Sequence, residues 1–252
     1  MSLLFGLIWS FHLQYGQPPA FYLKAPTVLY GYGGFNVNQT PQYSARVMSV
    51  LSRGGVWAHA ILRGGGEYGE AWHAAGMLDK KQNVFDDYYA CAEKLVAEKI
   101  TSKESLGAMG GSNGGLLVAV AITQRPELFR AGLSLVPLTD MLRFHKFRIG
   151  KLWIPEYGDP DEPKARAVLE SYSPYHHVKA GTRYPSVLFT TAESDSRVDP
   201  MHARKMAARL RAAQADPSRP VLLRVETKAG HGAGKPVGKL ADEMADELSF
   251  LL

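Results

Sequence analysis

Four glycines crowd the six positions Gly110-Gly111-Ser112-Asn113-Gly114-Gly115, between the apolar runs Leu106–Met109 and Leu116–Ile122. That pattern predicts a buried strand, a sharp turn and a helix, with the turn matching G-x-S-x-G from Gly110 to Gly114. The chemistry needs these residue types. A serine on a strained strand-to-helix turn presents its hydroxyl outward, and glycines on either side let the helix pack close beneath the strand. The hydroxyl then stands at a helix N-terminus, where free N–H groups favour developing negative charge. Alone, the pentapeptide is equally a plain Gly/Ser turn. The rest of the chain decides between the two readings.

From Thr27 onward apolar strand patterns alternate with helical ones. Strands are predicted at Thr27–Tyr30, Val56–Leu62, Leu106–Met109, Ala131–Val136, Ser186–Thr191 and Val221–Thr227. Helices are predicted at Gln42–Leu51, Asp86–Ala97, after Ser112 to Gln124, at Pro200–Ala213 and at Leu240–Leu252. The alternation implies an α/β fold whose mostly parallel sheet is flanked by helices. Residues 27–252 are expected to form one domain, and residues 1–26 an N-terminal stub or edge strand, with a turn at Gln17-Pro18-Pro19. Residues 138–183 interrupt the rhythm with prolines and aromatics and read as an irregular cap or specificity segment.

Two post-strand loops carry the partners a serine nucleophile requires. Ala192-Glu193-Ser194-Asp195-Ser196-Arg197-Val198-Asp199 follows the Ser186–Thr191 strand, and Gly230-His231-Gly232-Ala233-Gly234 follows the last strand. Ser112, Asp195, His231 is the chain order of an α/β-hydrolase triad. The strand ends of a parallel sheet lie at one edge, so residues far apart in sequence can meet there. Glu193 and Asp199 are rival acids; Asp199 precedes Pro200 at a helix start, where capping is its simpler role. His12, His59, His73, His145, His176, His177 and His202 lack the glycine-flanked context and read as structural or surface groups.

Other features exclude more than they suggest. At 252 residues, with 46% hydrophobic and 21% charged residues, the chain is long enough for one sizeable core. A net charge of +5 does not call for a nucleic-acid partner. The basic run Arg204–Arg211 has the spacing of a solvated amphipathic helix face. One cysteine, Cys91, permits no internal disulfide; it reads as a buried structural thiol, and a cytoplasmic location is expected. No residue spacing points to a metal or cofactor, and the apolar N-terminus is too short to span a membrane. Gly64, Gly66 and Gly69 match G-x-G-x-x-G without a recognisable first βαβ unit, so a tight structural loop is favoured over a nucleotide site.

Five motifs together resemble the catalytic domain of the prolyl oligopeptidase family: Tyr30-Gly31-Tyr32-Gly33-Gly34-Phe35, Arg63-Gly64-Gly65-Gly66-Glu67-Tyr68-Gly69, the Ser112 turn, Asp195-Ser196-Arg197-Val198 and Gly230-His231-Gly232-Ala233-Gly234. The likeness runs from about residue 27 to the C-terminus. It implies a serine endopeptidase that cleaves peptides after proline. It also implies an oxyanion hole formed by the Tyr32 hydroxyl and the backbone N–H of Asn113. Trp153 would stack on the proline ring, Phe35, Leu138, Tyr157 and Val198 would line its pocket, and Arg197 would bind a peptide carbonyl. Two departures stand out. Pro137 occupies a position where the family often has a small residue. Nothing in this sequence is long enough to build the family's β-propeller, so the active-site face is expected to be open to self-association or a partner chain. An acylaminoacyl-peptidase, a carboxylesterase on the same fold and a catalytically silent module remain the alternatives.

Overall fold

The computed structural model describes residues 25–40, 42–227, 230–232 and 235–252, with the backbone of Ile8–Trp9. His12, the turn expected at Gln17-Pro18-Pro19, and Ala233-Gly234 beyond the last histidine lie outside the described residues. The elements are β1 (Ile8–Trp9), β2 (Thr27–Gly31), α1 (Ala45–Leu51), β3 (Val56–Ala60), α2 (Glu70–Ala74), α3 (Gln82–Ala97), β4 (Leu106–Gly111), α4 (Asn113–Gln124), β5 (Ala131–Leu135), α5 (Ile154–Tyr157), α6 (Pro163–Tyr172), α7 (Pro174–His177), β6 (Ser186–Ala192), α8 (Met201–Ala213), β7 (Val221–Glu226) and α9 (Val237–Leu251).

The strands form one sheet in the order β1-β3-β2-β4-β5-β6-β7. β2 to β7 pair in parallel, and Ile8–Trp9 adds an antiparallel edge on β3. This is the mostly parallel, helix-flanked α/β sheet that the alternation of strand and helix leads one to expect. Both faces are covered, so the strands carry apolar residues on both sides. Leu29, Ala58, Ala108 and Phe189 point into one core with α3, α4 and α8. Their sequence neighbours Val28, Trp57, Met109 and Leu188 point into the other, against α1 and α9. α4 is apolar all round: Leu116 to Ile122 are buried without exception, because the sheet covers one side and α3 and the cap segment the other.

The chain runs from β2 outward to β3 and then returns to β4 on the other side of β2. That reversal opens a crevice beyond the C-terminal ends of β2 and β4, the place where open α/β sheets bind ligands. Tyr32 follows β2, and Ser112 follows β4.

Residues 138–183 differ from the irregular segment the prolines suggest. They contain α5, α6 and α7, and the prolines begin these helices rather than break others: Pro155, Pro163 and Pro174 each sit in a first turn. Proline lacks only an N–H that would be unpaired there anyway, and its fixed φ suits the turn. Helix α3 also starts four residues earlier than the apolar pattern indicates. The Arg204–Arg211 run lies in α8 as an amphipathic face should, with Ala203, Met206, Ala207 and Leu210 buried. Cys91 is partly buried against the core, and burial pushes its thiol up to about 11.

Candidate active site

Ser112 leaves β4 with φ 58° and ψ −115°, a conformation an L-residue rarely holds. The surroundings enforce it. Ser112 N donates to Leu135 O at 2.8 Å, and Ser112 O accepts from Leu116 N at 3.1 Å, which starts α4. The glycines are steric necessities. A Cβ on Gly110 would lie 2.4 Å from Gly114 O, and one on Gly114 would lie 2.5 Å from Gly31 O. The turn therefore holds β2, β4 and α4 in backbone contact.

His231, in the loop after β7, reaches across the strand ends. Its Nε2 is 3.0 Å from Ser112 Oγ, and its Nδ1 is 2.7 Å from Asp195 Oδ2. Asp195 is fully buried at the end of β6. Its other oxygen, Oδ1, accepts from Arg197 N and Val198 N, each at 2.9 Å. The two rival acids do neither of these things. Asp199 accepts from Met201 N at the start of α8 and pairs with Arg148 at 3.2 Å. Glu193 is exposed.

Tyr32 is half-buried beside the turn. Burial raises its phenol above the ordinary tyrosine range, and the facing Arg197 guanidinium lowers it by less, so the hydroxyl keeps its proton and can donate. Arg197 is exposed. Trp153 is buried just before α5, with Phe144 stacked on it at 6.5 Å. Phe35 meets Tyr157 edge-on at 5.4 Å. Leu138 and Val198 are buried in the same extended core cluster as Trp153 and Tyr157.

Tyr157 is buried, and its hydroxyl donates to Asn113 Oδ1 at 2.7 Å. The same amide donates through Nδ2 to Tyr32 O at 2.6 Å. The sequence assigns a role only to the backbone N–H of Asn113, and nothing in it signals this side-chain link. Nor does it signal Lys81 and Glu156, which are buried beneath the Tyr32 loop and paired at 3.2 Å. Their local sequences, Asp79-Lys80-Lys81-Gln82 and Pro155-Glu156, look like exposed polar turns and carry no signal of burial. His73, read as a structural or surface group, has its Nε2 2.8 Å from Glu156 Oε2.

The Gly64–Gly69 loop braces this region. Arg63 forms a bidentate pair with Asp87 at 2.6 and 2.8 Å, and Glu67 Oε1 accepts from Gln39 N at 2.7 Å. Among the described residues, His145, Asp159 and Asp161 bring possible ligand atoms within 4.8 Å of one another. Lys146 already lies 3.7 Å from Asp161 there, and the Asp161 carboxylate is largely open to solvent.

The strand order of this sheet, with Ser112, His231 and Asp195 brought together at its strand ends, defines the class, an α/β-hydrolase fold. Residues 41–252 match the model of the prolyl oligopeptidase family. Prolyl endopeptidase of Elizabethkingia miricola is 46% identical over 91% of this chain and 32% of its own length. A solved prolyl endopeptidase structure superposes with a TM-score of 0.89 at 53% identity, covering 92% of this chain and 34% of the other. Prolyl oligopeptidase B of Galerina marginata, bound to a 35-residue hydrolysis and macrocyclisation substrate, gives 0.87 at 37% identity, covering 92% and 33%. The chain belongs to the prolyl oligopeptidase family, and it spans about a third of the length of these relatives. Among the described residues no helix is long and apolar enough to cross a membrane.

Proposed function

We propose that this chain is a serine endopeptidase domain that hydrolyses peptide bonds on the carboxyl side of proline. The observation that carries the proposal is the continuous line from Ser112 Oγ through His231 to Asp195, at 3.0 and 2.7 Å. In this reading His231 Nε2 takes the Ser112 proton as Oγ attacks the scissile carbonyl, and the carbonyl electron pair moves onto its oxygen. Asp195 holds the Nδ1–H tautomer and stabilises the imidazolium. The Tyr32 hydroxyl and the Asn113 N–H receive the oxyanion. The tetrahedral species collapses as His231 passes the proton to the leaving amine, which leaves an acyl-enzyme on Ser112. Water, deprotonated by the same histidine, then releases the acid.

Specificity is assigned to the aromatic wall. Trp153 stacks on the proline ring, and Phe35, Leu138, Tyr157 and Val198 close the pocket around it. Arg197, exposed beside Tyr32, binds a substrate carbonyl. Support for the proline preference comes from the named activity of relatives at 46% identity and from the aromatic cluster around Trp153.

A fluorophosphonate probe, which reacts only with an activated serine, tests the chemistry. Labelling is expected in the wild type and should vanish in Ser112→Ala. Hydrolysis of matched proline-, alanine- and lysine-linked peptide esters tests specificity. Labelling without preference for proline would move the chain to an acylaminoacyl-peptidase or carboxylesterase activity. A folded chain that resists the probe would be a silent module.

A further inference from the structure

The backbone that leaves Tyr32 is fastened at two successive carbonyls by buried side chains that the catalytic scheme does not use. Tyr32 O accepts from Asn113 Nδ2 at 2.6 Å, and the next carbonyl, Gly33 O, accepts from Lys81 Nζ at 3.0 Å. Between the two carbonyls the chain turns through Gly33 at φ +65°, where any Cβ would lie 2.3 Å from Val84 Cγ1. Such a path is costly to hold unless its polar groups are pinned.

Both fasteners end on α5, Asn113 on Tyr157 and Lys81 on Glu156 and Tyr157. Asn113 Oδ1 accepts from the Tyr157 hydroxyl. Lys81 Nζ reaches Glu156 Oε1 at 3.2 Å and stands 5.3 Å above the Tyr157 ring. The three ammonium protons thus have a carbonyl, a carboxylate and an aromatic face. Glu156 is closed from the far side by His73 Nε2 at 2.8 Å. Trp153 immediately precedes α5, the turn that carries Glu156 and Tyr157.

We propose that the buried Lys81–Glu156 pair is a positioning unit that sets the Tyr32 hydroxyl relative to the Trp153–Tyr157 pocket wall. The oxyanion donor and the proline pocket then form one rigid piece. The assignment rests on the reading of Tyr32 as an oxyanion donor and adds the residues that hold it there. An ion pair in this position is a poor device for stability, since the cost of desolvating both charges roughly offsets their mutual attraction. It suits precise placement, where a displacement of about 1 Å can cost on the order of 10²-fold in rate.

The test is kcat and KM on a proline-linked peptide ester, with thermal melting, for Lys81→Met and for Lys81→Met/Glu156→Gln. Each is made in the wild-type and Tyr32→Phe backgrounds. Lys81→Met is expected to lower kcat by about 10- to 100-fold with little change in KM. It leaves the Glu156 carboxylate short of its ammonium partner, so the melting temperature falls as well. The double substitution removes both charges and should restore the melting temperature without restoring kcat. In the Tyr32→Phe background, Lys81→Met should cost almost nothing further, because the hydroxyl it positions is gone.

Recovery of kcat together with the melting temperature would overturn the proposal and leave the pair structural. So would a full, multiplicative loss in the Tyr32→Phe background. Should Lys81→Met alone fail to fold, the double substitution carries the same comparison. A wild-type chain inert toward both ester and fluorophosphonate removes the catalytic reading and this assignment with it. An active wild type with a kcat-neutral Lys81→Met removes only the assignment.

Discussion

Asp195→Asn exchanges one oxygen for an NH₂ of nearly the same size, yet the loop around it determines which way the amide must face. Oδ1 accepts two backbone N–H groups, from Arg197 and Val198, at 2.9 Å each. An NH₂ cannot accept them, so the asparagine carbonyl must take that position and the NH₂ must point at His231. A donor 2.7 Å from Nδ1 makes that nitrogen an acceptor and drives the ring proton onto Nε2, which faces Ser112 Oγ at 3.0 Å. The imidazole then meets the hydroxyl with a proton already in place and cannot act as base. The wrong tautomer costs about 10⁴-fold in kcat in the serine-protease template, which is roughly 5.5 kcal/mol at about 1.4 kcal/mol per decade. Folding should change little, because the backbone bonds to the loop survive. The assay is burst and steady-state hydrolysis of a proline-linked chromogenic peptide, with circular dichroism to check the fold. Asp199→Asn is the companion. Asparagine replaces aspartate well at a helix start, and a half-exposed ion pair to Arg148 is worth at most about 1 kcal/mol, so its kcat should stay near wild type. A folded Asp195→Asn within tenfold of wild type, or an Asp199→Asn that is the more damaged, would refute the reasoning.

Three further outcomes can be measured. Gly114→Ala places a methyl 2.5 Å from Gly31 O, and backbone on both sides leaves little room to relax. It should destabilise the fold by about 1–3 kcal/mol and reduce probe labelling of Ser112, and a wild-type melting curve would count against the close-packing argument. Tyr157→Phe strips the partner from the buried Asn113 Oδ1 and should cost about 1–3 kcal/mol in urea denaturation, whereas a neutral result would mean that the amide finds another donor. Acid stability should report on His202, whose buried Nδ1 accepts from Thr139 N and Asp140 N and whose titration is pushed from 6.5 down to about 4, chiefly by desolvation. The unfolded chain therefore binds the proton first as pH falls, and stability present above pH 6.5 is lost towards pH 4, by roughly 3 kcal/mol. His202→Asn, which keeps an acceptor in place, should flatten that slope, and an unchanged slope would assign the acid sensitivity elsewhere.

The Ser112 turn, the strand–helix alternation and the order serine, aspartate, histidine were legible in the residues. Glycine content, apolar periodicity and chain order are local or one-dimensional properties, and the physics that reads them needs no partner from elsewhere in the chain. Even there, the prolines of residues 138–183 were read as breaks because helix starts and helix stops share that residue, and only the backbone around Pro163 and Pro174 distinguishes them. What sits beneath the site belongs to the tertiary structure alone. Lys81 lies in a polar run that looks solvated, yet it is buried because β2, α3 and α5 converge on it. Asn113 has a side chain as well as an N–H, and its amide finds Tyr32 O and Tyr157 Oη only when segments 81 and 44 residues away are packed together. Burial and long-range hydrogen bonding are decided by what the whole chain brings to a point, and a desolvated lysine or amide keeps its place only when every one of its polar atoms is matched there.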